Sequence, residues 1–422
     1  MMRFVYIYFL LFVLALTCCS SHTTKKNTPN QKAAQKQTSA LQTVADNIYE
    51  LPAEPFIVDI GKALKEAKTI NLSEYCDSIE YIPLETRPDF YMGNITFNNS
   101  AIYNDHIYYK GPWGSGSKIF NIKGKLVSDK IGTEGRAYGE FSILSNLCIN
   151  EYTKELVGTD GMTKKLMIYD TLGNFKRAIP FKVITNTGVE QSKFPLGKHF
   201  ICTAQNSITN EYSLIFRDSS GIVKSVEILG IRPLGIPFKD DSMVELSLQN
   251  GLLHILNHAS DSIFTYNGYL KKSCSYVINL GKFKIAPEST TNSQFCVIQN
   301  IMENNKIAIF ICKLRQKNMP YMIKNNLVYL VYDKNDRSCR VLAPDKSRKW
   351  FAFNNDIDGG LPFHPAMIKG NRMFQFVDAY NFIKYSKGCS SPKVKEIAAT
   401  LTEDSNHVMI IAHFTQPPEL PS

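Results

Sequence analysis

Six short segments of this 422-residue chain share one pattern, in which an apolar run ends in an aromatic residue and a polar turn and a strand-like stretch follow. Successive aromatics stand 49, 47, 50, 66 and 53 residues apart. A repeated unit of roughly 40 to 50 residues built from hairpins is typical of a β-propeller blade. The spacing therefore predicts an all-β fold, a six-bladed β-propeller with one segment in each blade. The aromatic residues are Phe120, Tyr169, Phe216, Tyr266, Tyr332 and Tyr385.

The two ends of the repeated region carry segments that can close the ring. Residues 78–85 alternate well enough to be a strand, and Pro83 confines that strand to an edge or a strand end. Residues 407–414 form a final apolar run. Because an unclosed ring leaves open strand edges, which invite aggregation, we expect these two segments to share one blade. Shortly before the last strand, apolar residues at helical spacing over 392–404 predict a short helix near the C-terminus.

The first twenty residues have the composition of a secretory signal. One arginine precedes an unbroken apolar stretch, residues 4–16, which is too short for a stable membrane span. Residues 16–21 resemble the lipobox of bacterial lipoproteins. The resemblance implies a signal peptide over 1–18 and a lipid on the sulfur of Cys19, the first residue after cleavage. Cys18 is an alternative acceptor, and an ordinary cleaved signal is the alternative to lipidation.

The rest of the chain divides by composition. Residues 19–53 are rich in Ser, Thr, Asn, Gln and Lys over most of their length, so they predict a flexible tether. Residues 54–72 predict a linker with a short helix, residues 73–416 the propeller, and residues 417–422 a tail. An N-terminal lipid anchors a chain to a membrane. We therefore expect an outer-membrane lipoprotein of the cell envelope, on the periplasmic face or at the cell surface.

Charge and cysteine usage limit the partners. The formal net charge is +10, but the basic residues are scattered and no nucleic-acid-binding motif occurs, so we expect no nucleic-acid partner. The eight cysteines after Cys19 are widely spaced, without a CxxC pair. They predict buried free thiols rather than a zinc site. We expect the soluble part to be monomeric.

Four stretches go beyond periodicity, namely residues 77–86, 131–141, 355–365 and 403–412. In this order they resemble the six-bladed β-propeller lipoproteins of Gram-negative anaerobes, and the second is also similar to the glycine-rich start of an NHL-like repeat. His364 departs from the resemblance, since that family tends to carry a tryptophan there. The resemblance implies the fold and a cell-envelope location, and it implies no particular activity.

The glycine-rich stretch supplies the first candidate site residues. Three glycines between residues 132 and 139 permit a tight turn. Arg136, Tyr138 and Glu140 project from that turn, and we consider them as ligand contacts at the propeller mouth. The alternative, which we favour, is that Arg136 and Glu140 brace neighbouring blades.

The second candidate set is Asp356, Asp358 and His364. The two carboxylates fall in the first half of a calcium-loop pattern, but the twelfth position, where a bidentate Glu belongs, is Pro365. An EF-hand is therefore excluded. A looser calcium site is the weaker alternative to a turn whose carboxylates cap backbone amides, and we expect no metal or other cofactor.

No established catalytic motif occurs in the chain. His254 and His258 have the spacing of a zinc-binding HExxH pair, but position 255 is not Glu, and the chain contains no GxSxG elbow, Walker loop or dinucleotide fingerprint. These observations favour a module that binds a glycan, a peptide or a protein at the channel mouth, where propeller loops meet. The alternatives are a polysaccharide-degrading enzyme with its site at the mouth, and a scaffold subunit of an outer-membrane uptake complex.

Overall fold

Six four-stranded antiparallel units form the fold, which confirms the prediction of a six-bladed β-propeller. The computed structural model describes residues 50–93, 95, 100–111, 116–181, 188–206, 209–231, 243–285, 294–315, 327–344 and 351–415. The signal segment, Cys19, the tether before residue 50 and the tail lie outside the described residues.

The blades follow one another in chain order, each from its innermost to its outermost strand. Blades 1 to 3 each come from one continuous piece of chain. Their strands are Ser100–Tyr103, His106–Lys110, Ser117–Asn121 and Leu126–Ser128 in blade 1, Leu144–Asn150, Glu155–Asp160, Lys165–Tyr169 and Phe175–Pro180 in blade 2, and Gly188–Leu196, His199–Asn206, Glu211–Arg217 and Val223–Ile231 in blade 3.

Blades 4 to 6 each include a strand from the N-terminal part of the chain. Blades 4 and 5 are five-stranded, and the N-terminal strand is outermost in all three. The strands are Val244–Gln249, Leu252–Asn257, Ser262–Tyr266, Lys272–Ile278 and Phe56–Val58 in blade 4, Phe295–Glu303, Ile307–Arg315, Leu327–Asp333, Cys339–Leu342 and Ala67–Lys68 in blade 5, and Met367–Lys369, Arg372–Val377, Val408–Phe414 and Cys76–Pro83 in blade 6.

Helices are few in the described ranges. They are α1 (Ile60–Ala63), α2 (Ala379–Ser386) and α3 (Pro392–Ala399), with 3₁₀ turns at Leu72–Glu74 and Gly281–Phe283. The predicted C-terminal helix is α3, which begins after the N-cap Ser391 and ends before residue 404. None of the helices in the described part of the chain has the length and apolar composition to cross a membrane.

The recurring hairpin has a local physical cause. In five blades a buried aromatic lies within the last two residues of the third strand, and an Asn or Asp follows one or two positions later. These acceptors are Asn121, Asp170, Asp218, Asn267 and Asp333. Each side-chain oxygen accepts the backbone N–H two positions further on, which closes an Asx turn. Each turn then contains a residue with φ between 57° and 85°, a conformation that favours Gly. These residues are Gly124, Gly173, Gly221, Leu270 and Arg337.

The sixth predicted hairpin is wrong. Tyr385 lies in α2, which begins where the Asp378 side chain accepts the N–H of Asn381 at 2.9 Å. Ser386 follows Tyr385, so the Asn or Asp that closes the other five turns is missing. The third strand of blade 6 comes later and ends in Phe414, because α2 and α3 are inserted between the second and third strands.

Blade 6 closes the ring as expected from the two terminal segments. Cys76–Pro83 is its outermost strand and pairs antiparallel with Val408–Phe414, with Tyr81 opposite Ile410. Pro83 is the last residue of an edge strand, where its missing N–H costs no ladder hydrogen bond. The two strands are at opposite ends of the propeller sequence, so their pairing joins the first part of the ring to the last.

The predicted linker packs on the propeller. Phe56–Val58 adds parallel to the outermost strand of blade 4, and Ala67–Lys68 adds parallel to that of blade 5. Val58 and Ile60 are fully buried there. Together with the outermost strand of blade 6, this segment covers three consecutive blade edges. We call residues 56–83 the N-terminal strap.

The core lies between neighbouring blades. The five repeat aromatics are at most 5% exposed, and each packs in an apolar layer between two sheets. The eight cysteines in the described residues are free thiols, of which Cys76, Cys202, Cys296 and Cys312 are buried as predicted and the other four are partly buried. Burial raises the pKa of the Cys148 thiol to about 12, so it behaves as a small apolar side chain.

Candidate functional site: the central channel

The innermost strands of all six blades line one cavity of about 180 Å³ on the propeller axis. A cavity of about 150 Å³ holds a benzene-sized ring, so this one has room for a single six-membered ring with substituents. Amide and hydroxyl groups dominate its polar wall. They belong to Ser100, Asn146, Ser247, Gln249, Asn250, Gln299 and Asn300.

Irregular backbone shapes this wall. The innermost strands of blades 2, 3 and 5 each shift register against the second strand, between Ser145 and Cys148, between Gln191 and Lys193, and between Ile298 and Asn300. In blade 2 the shift includes Asn146, whose φ of 50° places it in the left-handed region that Asn tolerates best among non-glycine residues. Bulges re-aim side chains and are enriched next to functional sites.

Asn300 combines burial with an incomplete hydrogen-bond set. It is 4% exposed, and its Oδ1 accepts the hydroxyl of Ser247 at 2.5 Å across the boundary between blades 4 and 5. The same hydroxyl lies 3.0 Å from the carbonyl oxygen of Ile301. The Nδ2 of Asn300 has no partner among the described residues. A buried donor without a partner costs about 1–3 kcal/mol, so this wall gains from a ligand that accepts the bond.

One ion pair joins two blades that are not neighbours. The Nζ of Lys369, at the end of the innermost strand of blade 6, lies 2.5 Å from Oε1 of Glu151, just after that of blade 2. Both side chains are at most 24% exposed. Glu245 is the third ionisable residue of the cavity wall. The wall therefore carries two carboxylates and one ammonium, although the whole chain is basic.

Asparagine side chains fix the rim at the same end of the ring. The Nδ2 of Asn150 donates to the carbonyl of Gly197 at 2.8 Å, that of Asn250 to Glu303 at 3.0 Å, and that of Asn304 to Gly370 at 3.4 Å. Each bond connects the first turn of one blade to the first turn of the next. A rim held in this way presents its ligand contacts at low entropic cost.

The glycine-rich stretch lies on the connection between blades 1 and 2. Arg136 is exposed, and Tyr138 is 88% exposed with its ring edge-on to Phe175 at 5.6 Å. Glu140 turns back into its own loop, where its Oε2 accepts the N–H of Ala137 at 2.8 Å. The loop is held by a parallel pairing of Thr133–Glu134 with Glu140–Phe141.

Asp356 and Asp358 make structural contacts. The Oδ1 of Asp356 accepts the N–H of Ser73 at 3.0 Å, and Asp358 accepts the hydroxyls of Tyr81 at 3.0 Å and Ser391 at 2.9 Å. They connect the strap and the start of α3 to the connection before blade 6. Their binding role stays a prediction, and no group of three or more metal-ligating side chains lies together within the described ranges.

His364 packs beside blade 5, with its Nδ1 2.6 Å from the carbonyl oxygen of Phe351 and its ring 4.6 Å from that of Tyr329. None of the six predicted site residues lines the cavity. The sequence did carry a signal for the wall that was missed. Gln299 and Asn300 interrupt the otherwise apolar strand Phe295–Glu303 with two adjacent polar residues.

A second polar cluster lies between blades 4 and 5, away from the cavity. The Oε1 of Glu303 is 2.8 Å from Nε2 of His254, its Oε2 is 2.6 Å from Nζ of Lys334, and it also accepts the hydroxyl of Tyr276. Burial by itself raises the pKa of this carboxyl, but Lys334 and His254 together hold it well below its usual range. Burial also raises the pKa of the Tyr276 hydroxyl. The carboxylate of Glu303 is in contact with three neighbouring polar groups, which indicates a structural cluster.

Similar proteins are known from families and structures. No curated protein matches the chain. A solved "putative exported protein" of Bacteroides fragilis NCTC 9343 is similar in fold, with 13% identity, 86% of this chain and 100% of that chain covered, and a TM-score of 0.59. A DUF4221-family member from Bacteroides vulgatus has 10% identity, coverages of 81% and 97%, and a TM-score of 0.47. The family described as "domain of unknown function (DUF4934)" matches residues 55–413. The chain belongs to this family.

Proposed function

We propose that this protein binds one ring-sized, neutral polar unit, the terminal sugar of a glycan, in its central channel. The observation that carries the proposal is the cavity of about 180 Å³ whose wall is rich in amides and hydroxyls. Such groups both donate and accept hydrogen bonds, as the hydroxyls of a sugar require. A charged ligand is a poorer match, because the Lys369 ammonium is already paired with Glu151.

The proposal also covers the cellular location of the protein. The similar B. fragilis protein is named as exported, and the sequence around Cys19 resembles a lipobox. We place the chain in the cell envelope as a lipoprotein of the outer membrane. A lipid on Cys19 would keep the propeller at the membrane, where glycans reach it.

Binding can be tested with the full-length protein in detergent. Calorimetric titrations with glucose, galactose, N-acetylglucosamine and their short oligomers, and with Ala-Ala and Ala-Ala-Ala, compare the two ligand classes. We expect a sugar to bind, and Asn300→Ala to weaken that binding at least tenfold. Asn174→Ala is the matched control, since Asn174 bonds to Asp170 in the outer hairpin of blade 2 and does not line the cavity. Binding of peptides alone, no binding, or equal binding by both variants would contradict the sugar proposal.

The lipid anchor has its own test. Cys19→Ala should move the protein from the membrane fraction to the soluble fraction, and Cys18→Ala should leave it in the membrane. If Cys19→Ala stays in the membrane and the double variant is released, Cys18 is the acceptor. If the double variant also stays, the lipid proposal is wrong.

The enzyme alternative needs carboxylates and His364 to converge in the channel. Asp356, Asp358 and His364 do not line the cavity, and their partners are Ser73, Ser391 and the carbonyl of Phe351. The binding proposal rests on the channel wall and does not use these three residues.

A further inference from the structure

The outermost strand of blade 3 differs from the other edges of the ring. Val223–Ile231 has nine residues, against three in the outermost strand of blade 1 and six in that of blade 2. Val226, Ile228 and Ile231 are 49%, 64% and 65% exposed. No other strand among the described residues pairs with its free side. A long, apolar, unpaired edge strand is a template for another strand.

Blades 1 and 2 have edges that discourage pairing. The outermost strand of blade 1 is short, and that of blade 2 carries Lys176 and Arg177 and ends in Pro180. Short strands, charges and proline are the devices by which proteins protect sheet edges. The blade 3 strand carries Lys224, paired with Asp218 at 3.0 Å, and Glu227, paired with Lys272. It has neither the short length of the blade 1 edge nor the proline of the blade 2 edge, so it is the least protected of the three edges.

Blades 4 and 5 show what covers an edge in this molecule. Phe56–Val58 pairs parallel with Tyr276–Ile278 on blade 4, and Ala67–Lys68 pairs parallel with Val341–Leu342 on blade 5. In two blades of this molecule, therefore, an extended segment already pairs with the outermost strand. The edge of blade 3 lies beside blade 4 and continues the same series of edges.

A groove next to the blade 3 edge provides room for a side chain. It has a volume of about 410 Å³ and lies between the outermost strand of blade 3 and the second and third strands of blade 4. Ile228, Ile231 and Phe264 provide apolar surface. The hydroxyl of Tyr212, which is 4% exposed, has no partner among the described residues. Gly230 keeps the space beside it open, because a Cβ there would lie 2.9 Å from that hydroxyl oxygen.

We propose that the outermost strand of blade 3 binds an extended, acidic peptide segment of a partner protein by strand addition, with one apolar side chain in the adjacent groove. Main-chain hydrogen bonds along the edge supply affinity in this mode, and the pocket for alternate side chains supplies specificity. The net charge of +10 favours acidic peptides over basic ones. This site is separate from the channel and does not depend on sugar binding.

The strap sequence provides a defined probe. The blocked peptide Glu-Pro-Phe-Ile-Val-Asp-Ile-Gly copies residues 54–61, which include the strand that covers blade 4, and it carries two carboxylates. Fluorescence anisotropy measures binding of the labelled peptide to the full-length protein. We expect saturable binding that Ile228→Glu weakens at least tenfold, because it removes apolar surface from the groove and repels an acidic peptide. Ile231→Glu should act in the same direction.

The control is Val127→Glu on the outermost strand of blade 1, where the replaced side chain is 41% exposed. It should bind the peptide like the wild type, and all three variants should melt within a few degrees of it. Absence of binding, or binding that both blade 3 variants leave unchanged, would overturn the proposal; the latter result places the peptide on blade 4. A wild-type dimer in size-exclusion chromatography that Ile228→Glu converts to a monomer would identify a second copy as the occupant and also overturn it.

Discussion

Blades 4 to 6 and blades 1 to 3 solve the problem of a sheet edge in different ways. The N-terminal strap covers or forms the outermost edge of blades 4, 5 and 6, whereas blades 1, 2 and 3 end in strands of their own continuous piece of chain. A buried ion cluster centred on Glu303 lies in the strapped half. Its counterpart in the other half, centred on Glu155, has partners that are 40% and 46% exposed.

The difference indicates that the two halves of the ring have different roles. The strapped half contains the closure of the fold, where the two ends of the propeller sequence pair. Buried charge does not follow this division, since Glu155, Asp160, Lys193 and Arg217 of blades 2 and 3 are at most 8% exposed. The other half carries the exposed loop with Tyr138 and the unpaired edge of blade 3. We therefore expect the strap contacts of blades 4 to 6 to contribute to stability, and substitutions at the exposed edges of blades 1 to 3 to affect partners more than folding.

The largest expected effect is in the Glu303 cluster. Glu303→Ala leaves the Lys334 ammonium, whose side chain is 12% exposed, without its carboxylate. Breaking a buried pair in this way costs about 3–5 kcal/mol. Glu155→Ala on blade 2 is the matched control and should cost about 1 kcal/mol, because Lys176 and Arg177 can return to water. Urea unfolding of the full-length protein measures both values, and equal losses would contradict the comparison.

The next largest effect is a pH-dependent loss of stability in blade 6, the blade that closes the ring. Burial lowers the pKa of His407 to about 4 from an ordinary value of 6.5, and Asp378 opposes this only in part. The unfolded chain therefore binds a proton more readily than the folded one, so stability falls as the pH drops below 6.5. The shift predicts a loss of about 2 kcal/mol between pH 7 and pH 5.

His407→Gln should flatten the pH dependence of unfolding in that range. Glu303 does not interfere, since the stability from its lowered pKa is lost only below about pH 4.5, the ordinary value of a glutamate. An unchanged profile in His407→Gln would show that the closing blade does not titrate in this way.

The smallest effect tests the packing of the strap. Ile60→Val removes one methylene from a fully buried side chain of α1 and should cost about 1 kcal/mol. Ile222→Val, at the blade 3 edge, changes a side chain that is 61% exposed and should be neutral within about 0.5 kcal/mol. Hydrogen exchange should show faster opening of Phe56–Val58 in the first variant. Two neutral variants would mean that the strap adds no stability to blades 4 and 5.

The features that could be predicted from sequence are local ones. The third-strand hairpins can be recognised in the sequence because an aromatic, an Asn or Asp acceptor and a residue with positive φ occur within a few positions of one another. The same rule explains the error at Tyr385. The aromatic was present, but Ser386 replaced the acceptor, and the N-cap Asp378 had already begun a helix.

The cavity wall and the strap could not be predicted in the same way. The wall combines Glu151, Asn300 and Lys369 from three blades, and no local pattern connects positions so far apart in the chain. The part of the strap before residue 73 was interpreted as a linker because Phe56–Val58 and Ala67–Lys68 are too short to show strand periodicity. Their conformation depends on the outermost strands on which they lie.

The pairing of the two terminal strands in blade 6 also has a consequence for folding during translation. Cys76–Pro83 leaves the ribosome more than three hundred residues before Val408–Phe414, with which it pairs. Contacts that span most of a chain make folding slow, because the ends must meet before the contact contributes. A nascent chain of this protein therefore carries a strand without its neighbour until translation is almost complete, and any chaperone that assists it has to shield that strand.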